Sequence, residues 1–270
     1  MKLLNGQELA GFIKERQAKE ARRLRQAENI QPKLAIVQVK DDPVINTYVK
    51  LKQRYGEDIG VDVAIYRIDQ SGVAQMLQTL NEDDDVHGII VQLPLTDKSQ
   101  TTEVLNKVML RKDVDGLAEN SPFDPATPVA INWLLAGYNV DVRGKHIVIV
   151  GQGRLVGAPL ARVMRSSGLD VETVDRSVEN LTETVQNADV LVTATGNPGL
   201  ITSDMIKQAA VVIDAGSAGQ KGTVTGDVAE DVYERDDLTM TPKKGGVGPL
   251  TVAALFDNVL RAARDTIVHS

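Results

Sequence analysis

His146-Ile-Val-Ile-Val-Gly-Gln-Gly-Arg-Leu-Val-Gly157 decides the fold. Four consecutive β-branched residues run without a break into a segment holding Gly151, Gly153 and Gly157. The pattern predicts a strand over His146–Val150, a tight turn, and a helix from about Leu155 to Ser167. Glycines at such a turn let backbone amides approach a phosphate group, and the helix that follows offers its positive dipole end. Asp175 lies 24 positions after Gly151, at the end of a second predicted strand, Val171 to Asp175. An acidic residue there can accept hydrogen bonds from ribose hydroxyls. The spacing is GxGxxxG rather than GxGxxG, so a strand–helix turn that holds no ligand is the competing reading.

Working outward, the alternation continues in both directions. Towards the C-terminus come a helix over 178–186, strands at Ala188–Ala194 and Ala210–Asp214, and an amphipathic helix from about Thr251 to Arg264. Towards the N-terminus, Leu9, Phe12, Ile13 and Leu24 mark an amphipathic helix over 6–28. Strands are expected at Lys33–Val39, Val61–Ile68 and His87–Leu93. Between them lie helices over 44–59, closed by Gly60, and over 72–81. A further helix covers 127–137. Strands alternating with helices imply parallel sheets, so the fold class is α/β. Two domains are expected. One takes residues 1–120 plus 249–270, and the other, Rossmann-like, takes 121–248, with a cleft between them. The break falls between Gly116 and Ile131, where Pro122, Pro125 and Pro128 cluster.

Composition removes several function classes. The net charge of -7 argues against a nucleic-acid partner, and the 3% aromatic content against a base-stacking platform. With no cysteine, disulfides and thiolate metal sites are excluded, which fits a cytoplasmic setting. Nothing near the N-terminus reads as a signal peptide, and no apolar run approaches the ~18 residues a membrane span needs. His87, His146 and His269 are scattered without ligand spacing, so no metal is expected.

The first half carries polar residues in suggestive places. Tyr48 and Lys52 are four apart and share one helix face; taken alone, the pair reads as a solvated surface. Gln92 ends a strand just before Pro94, at the carboxyl edge where α/β proteins bind ligands; alone it reads as an edge residue. Lys112-Asp-Val-Asp-Gly116 reads as a turn or a weak cation loop.

Together these segments resemble the bifunctional methylenetetrahydrofolate dehydrogenase/methenyltetrahydrofolate cyclohydrolase family. The resemblance rests on Tyr48-Val-x-x-Lys52, Val91-Gln-Leu-Pro-Leu95, Lys112-Asp-Val-Asp-Gly116 and Gly245-Gly-Val-Gly-Pro249-Leu-Thr251, in the family's order. The loop with Leu155-Val-Gly157-x-Pro159 and the segment Gly226-Asp-Val228 are also similar. The resemblance implies oxidation of 5,10-methylenetetrahydrofolate with NAD or NADP, followed by hydrolysis to 10-formyltetrahydrofolate, in a homodimer. It implies Lys52 as the central catalytic residue, working with Tyr48 and Gln92. Tyr48 and Asp115 would contact the folate, Asp115 through the pterin, and Gly246, Pro249 and Leu250 would shape the wall beside folate and nicotinamide. Gly151, Gln152, Gly153, Arg154, Val156, Gly157, Asp175, Arg176 and Ser177 would hold the cofactor. The alternatives are a monofunctional NAD-dependent dehydrogenase of the same family and a non-catalytic folate- or dinucleotide-binding paralogue. A shikimate-type or amino-acid-type dehydrogenase is a further rival, which leaves the Gln92 and Lys112–Gly116 segments unexplained.

The chain also departs from the family pattern. The usual Gly-Arg-Ser of the cofactor loop is Gly151-Gln152-Gly153, and the usual Cys-His-Ser after the second strand is Asp175-Arg176-Ser177. A positive charge is lost and an aspartate gained, which repels a 2′-phosphate and suits a free ribose, so the lean is towards NAD. Arg154 and Arg176 act against that lean, since either can pair with a phosphate. Cys-Thr-Pro has become Ala126-Thr-Pro128, Pro-Val-Pro has become Pro242-Lys243-Lys244, and Ile45 replaces a serine.

Overall fold

The protein's structure, a computed structural model, describes residues 1–175, 177–220 and 223–268. In chain order the strands are β1 (Lys2–Leu3), β2 (Lys33–Gln38), β3 (Asp62–Arg67), β4 (Gly88–Gln92), β5 (His146–Val150), β6 (Asp170–Val174), β7 (Val190–Thr193), β8 (Val211–Asp214), β9 (Ala218–Gln220), β10 (Thr223–Thr225) and β11 (Thr239–Met240). The helices are α1 (Gly6–Ala27), α2 (Pro43–Ile59), α3 (Val73–Glu82), α4 (Thr101–Leu105), α5 (Ala126–Gly137), α6 (Gly157–Ser166), α7 (Leu181–Gln186) and α8 (Val247–Asp265). No helix among the described residues is long and apolar enough to cross a membrane.

The chain divides into two units. The N-terminal unit comprises Gly11–Ala126 and Val252–Ser270, and the central unit Met1–Ala10 and Thr127–Thr251. In the N-terminal unit, β3, β2 and β4 form a parallel sheet with β2 in the middle. The last five residues of β2 are all buried, the near-continuous apolar run that a parallel strand covered on both faces requires. Ala35, Val37, Ile89 and Val91 form one core cluster with Val73, Leu77 and Leu80 of α3. Because strand side chains alternate, Gln38 and Gln92 belong to the opposite face. α2 begins where its sequence permits: Asp42 caps it, accepting from the amides of Val44 (2.9 Å) and Ile45 (3.2 Å), and Pro43 follows. It ends at Gly60, at φ 77°, as the breaker pattern predicted.

In the central unit a six-stranded parallel sheet runs in the order β1-β11-β8-β7-β5-β6, and β9 and β10 make a separate antiparallel pair. Val148, Val150, Leu191 and Val212 pack against Ile201, Met205, Val228 and Val232 in its core.

The expected domain boundaries need correction. Residues 1–10 belong to the central unit, because β1 pairs with β11: the Lys2 amide donates to Leu238 O and the Leu4 amide to Met240 O, each at 2.8 Å. The central unit begins at Thr127 rather than 121 and ends at Thr251 rather than 248. The last helix starts at Val247, four residues early, so the family-like Gly-Val-Gly-Pro-Leu run lies partly inside it. On α1, Phe12 is 68% exposed while Leu24 is fully buried, so Phe12 does not belong to the buried stripe.

Candidate active site

Lys52 stands midway along α2, and its ammonium group donates to Gln92 Oε1 at 2.8 Å. Gln92 is the last residue of β4, so a strand end and a helix 40 positions away in sequence meet at one hydrogen bond. The amide of Gln92 is oriented by its own Nε2, which donates to Leu93 O at 3.2 Å and leaves Oε1 for the lysine. Burial pushes the Lys52 amine below the ordinary lysine range, and the Asp115 carboxylate opposes that shift. Burial pushes the Asp115 carboxyl above its usual range, opposed by Lys52 and reinforced by Asp113. Both groups therefore lean towards their neutral forms, an arrangement suited to passing a proton rather than to locking an ion pair. Tyr48 lies one turn before Lys52 and, like Lys52, Gln92 and Asp115, is half-buried.

The Lys112–Gly116 segment turns, with the Gly116 amide donating to Asp113 O at 3.0 Å, and its side chains fasten it further. Lys112 is buried, and its amine donates to the carbonyls of Leu80 (3.0 Å), Asn81 (2.9 Å) and Asp83 (2.6 Å), closing the C-terminal end of α3. Asp113, also buried, accepts from the Ala118 amide at 2.9 Å. Val114 is fully buried, and its carbonyl accepts from Asn258 Nδ2 at 2.9 Å. Three of the five residues thus hold the segment in place, and Asp115 is left to act on Lys52.

In the central unit the glycine segment behaves as its spacing suggested. Gly151 has φ 105°, and α6 starts at Gly157, two residues later than expected. A Cβ on Gly157 would stand 1.7 Å from Gly151 O, so this close approach demands glycine. Gly153 differs: its φ is not positive, and a Cβ there would meet nothing within 4 Å. Neither turn nor packing requires glycine at that position, while close approach of a pyrophosphate does. No side chain caps α6, whose N-cap is Val156; the Ala158 amide donates to Gly153 O at 3.2 Å, the Leu160 amide to Val156 O at 2.9 Å, and Pro159 carries no N–H. The open glycine loop therefore fits the close approach of a dinucleotide pyrophosphate. Asp175 closes β6 and accepts from the Ser177 amide at 2.8 Å and from its hydroxyl. Gln152 and Arg154 are exposed, and Arg176 lies outside the described residues.

Leu250 is completely buried. Gly246 and Pro249 are half-buried beside it. Lys243 forms an ion pair with Glu230 and lies 4.8 Å from the centre of the Tyr233 ring. Its charge is thus engaged within its own unit, while Lys244 is exposed.

The structure gives further polar residues their partners. Asp227 is fully buried and accepts from the Thr195 amide at 2.6 Å. Asp214 accepts from Thr193 Oγ1 (3.1 Å) and from the Gly216, Asp227 and Val228 amides. These two carboxyls tie together the loops after β7 and β8 and the Gly226–Val228 segment. Burial and the neighbouring Asp214 push the Asp227 carboxyl up. Gln38 is 2% exposed at the end of β2. Its only signal in sequence is a polar residue in the otherwise apolar run Ala35-Ile-Val-Gln-Val39. His87 is structural, taking the Lys33 amide on Nδ1 at 3.3 Å, and His146 bridges Asp170 and Glu172. His269 lies outside the described residues. Among the described residues, no three His, Cys, Asp or Glu side chains converge as a metal site.

Comparison with known proteins agrees with this geometry. Residues 4–115 match the catalytic domain of the tetrahydrofolate dehydrogenase/cyclohydrolase family, and residues 125–267 match its NAD(P)-binding domain. A Campylobacter jejuni protein named "Bifunctional protein FolD" is 35% identical over 282 residues, covering 99% of this chain and all of that one. A crystal structure of the bifunctional FolD dehydrogenase/cyclohydrolase from Campylobacter jejuni superposes with a TM-score of 0.92 at 34% identity, covering 98% of this chain and 99% of that chain. The Trypanosoma brucei dehydrogenase–cyclohydrolase, solved with NADP and an inhibitor, superposes with a TM-score of 0.92 at 28% identity, covering 98% of each chain. This chain belongs to the tetrahydrofolate dehydrogenase/cyclohydrolase family.

Proposed function

We propose that this protein oxidises 5,10-methylenetetrahydrofolate to the 5,10-methenyl form with a nicotinamide cofactor and then hydrolyses that product to 10-formyltetrahydrofolate. The observation that carries the reading is the Lys52–Gln92 hydrogen bond with Asp115 acting on the same amine. The family match and its bifunctional relatives support both activities.

In the hydrolytic step, water adds to the methenyl carbon, the bridge to one ring nitrogen opens, and one proton is released. Lys52, held towards its neutral form by burial, accepts a proton from the attacking water and returns one to the departing nitrogen. Gln92 aims the lysine without the charge that would lock it as an ammonium. Asp115, held towards its protonated form, engages the pterin by hydrogen bonding, and Tyr48 takes the adjoining position on α2. The nicotinamide, when bound, takes the hydride in the oxidation; the protein's part is orientation. Gly151, Gly153, Gly157 and the loop they bound would hold the pyrophosphate, and Asp175 with Ser177 the ribose.

We read the cofactor preference as NAD, on the aspartate at 175 and the uncharged glutamine at 152. The working form is taken as a homodimer. Parallel assays of methenyl absorbance with NAD and NADP test the first point; a kcat/KM ratio of about tenfold in favour of NADP, equivalent to about 1.4 kcal/mol, overturns it. Lys52→Met tests the second step. Hydrolysis should be lost with folate binding still measurable, and unchanged hydrolysis removes Lys52 from the mechanism.

A further inference from the structure

Gln38 and Gln92 are paired residues in the register of β2 and β4, each the last residue of its strand. Adjacent strands lie about 4.8 Å apart, and paired residues of parallel strands face the same way. Val37 and Val91 face the α3 core, so the two glutamines share the other face, the one from which Lys52 reaches Gln92. Gln38 also reaches α2. Its Nε2 donates to Asn46 Oδ1 at 2.6 Å and to Lys40 O at 2.7 Å, and Asn46 Nδ2 donates in turn to Asp41 Oδ1 at 2.7 Å. α2 is therefore held to the sheet end at two points, by Asn46 on Gln38 and by Lys52 on Gln92.

The second observation concerns the other end of the same amide. Gln38 Oε1 is buried with no hydrogen-bond donor among the described residues. A buried acceptor without a donor lowers stability, and an apolar side chain of similar shape would avoid that penalty. Such a group is found where geometry is maintained against stability.

We propose that Gln38 is a positioning residue for the one-carbon chemistry, setting the start of α2 so that Tyr48 and Lys52 are presented at the sheet end beside Gln92. This rests on the reading of Lys52 as the proton-transfer group. Gln38 touches no reacting atom; it acts through Asn46 and the helix.

The test is Gln38→Met, which keeps the volume and removes the amide, measured beside Asn46→Ala, which cuts the same bond from the helix side, and Lys52→Met. Displacing a reacting group by a fraction of an ångström lowers kcat by about tenfold or more. Gln38→Met should therefore lose about tenfold in cyclohydrolase kcat with the folate KM within about twofold. Its Tm should stay close to that of the parent, because the buried unpaired oxygen is removed together with the two bonds that Nε2 makes, whereas a residue with only a structural role would lower it. Asn46→Ala should reproduce the kcat loss, and the double variant should be no worse than the stronger single, because both break one link. A kcat loss that comes only with a lowered Tm overturns the proposal, as does an unchanged kcat in both variants while Lys52→Met is inactive. If Lys52→Met hydrolyses normally, the reading of Lys52 falls, whatever Gln38 does. If Gln38→Met does not fold, Asn46→Ala alone decides, since Asn46 is only half-buried.

Discussion

Gln92→Glu places a carboxylate where a neutral oxygen now stands 2.8 Å from the Lys52 amine. At that separation two unit charges attract by roughly 6 kcal/mol at an effective dielectric of about 20. Part of this is offset by the desolvation of the new carboxylate. An opposite charge this close typically moves a pKa by about 1–3 units, or about 1.4–4 kcal/mol. The direction is upward for Lys52, against the lowering that burial imposes. If the neutral amine accepts the proton in hydrolysis, the acid limb of the cyclohydrolase pH profile must move up by the same amount, and the rate on that limb must fall roughly 10- to 1,000-fold. Glutamate has nearly the shape of glutamine, so folate affinity should change little. The measurement is the decay of methenyl absorbance from about pH 6 to 10, with substrate binding followed separately. If the acid limb stays in place and the rate along it is within twofold of the parent, the neutral-lysine mechanism is wrong.

Four further outcomes follow from the same structure. Gly157→Ala forces a methyl group against Gly151 O and should cost about 1–3 kcal/mol or more, with loss of dinucleotide binding. Gly153→Ala meets no protein atom, so apo stability should stay within about 0.5 kcal/mol while the cofactor KM rises; an unchanged KM would show that no ligand approaches there. For Asp227, whose folded carboxyl is raised above an unfolded value near 3.9, the unfolded chain loses its proton first as pH rises. Its contribution to stability is therefore fully present below about pH 4 and is lost as pH climbs through the folded pKa. Asp227→Asn should gain on the parent in Tm over that window, and curves that run parallel from pH 4 upward would count against it. Lys112→Met strips three carbonyls at the end of α3 of their donor and should lower stability by about 1–3 kcal/mol, seen as a reduced denaturation midpoint.

What the chain's order of residues determined by itself is local. The apolar run of β5 entering Gly151, the Asp42-Pro43 start and Gly60 stop of α2, and the alternation of strand and helix all follow from preferences that act within about a dozen residues. The resemblance singled out Lys52, Gln92 and Asp115, and composition alone could not, because a lysine on a helix is ordinarily solvated. Only the tertiary structure decided which of these polar groups meet. β1 joins the central sheet through a bond from Lys2 to Leu238, and two residues carry too short a pattern to announce a partner so far along the chain. Lys112, in the same motif as Asp115, is spent on the end of α3 while Asp115 acts on Lys52, a division that depends on burial and not on spacing. Gln38 is one polar residue in an apolar strand, and its register beside Gln92 and its bond to Asn46 give it a place. Periodicity is written in neighbouring residues, whereas proton chemistry depends on desolvation and on partners within about 3 Å, and both are properties of the folded chain.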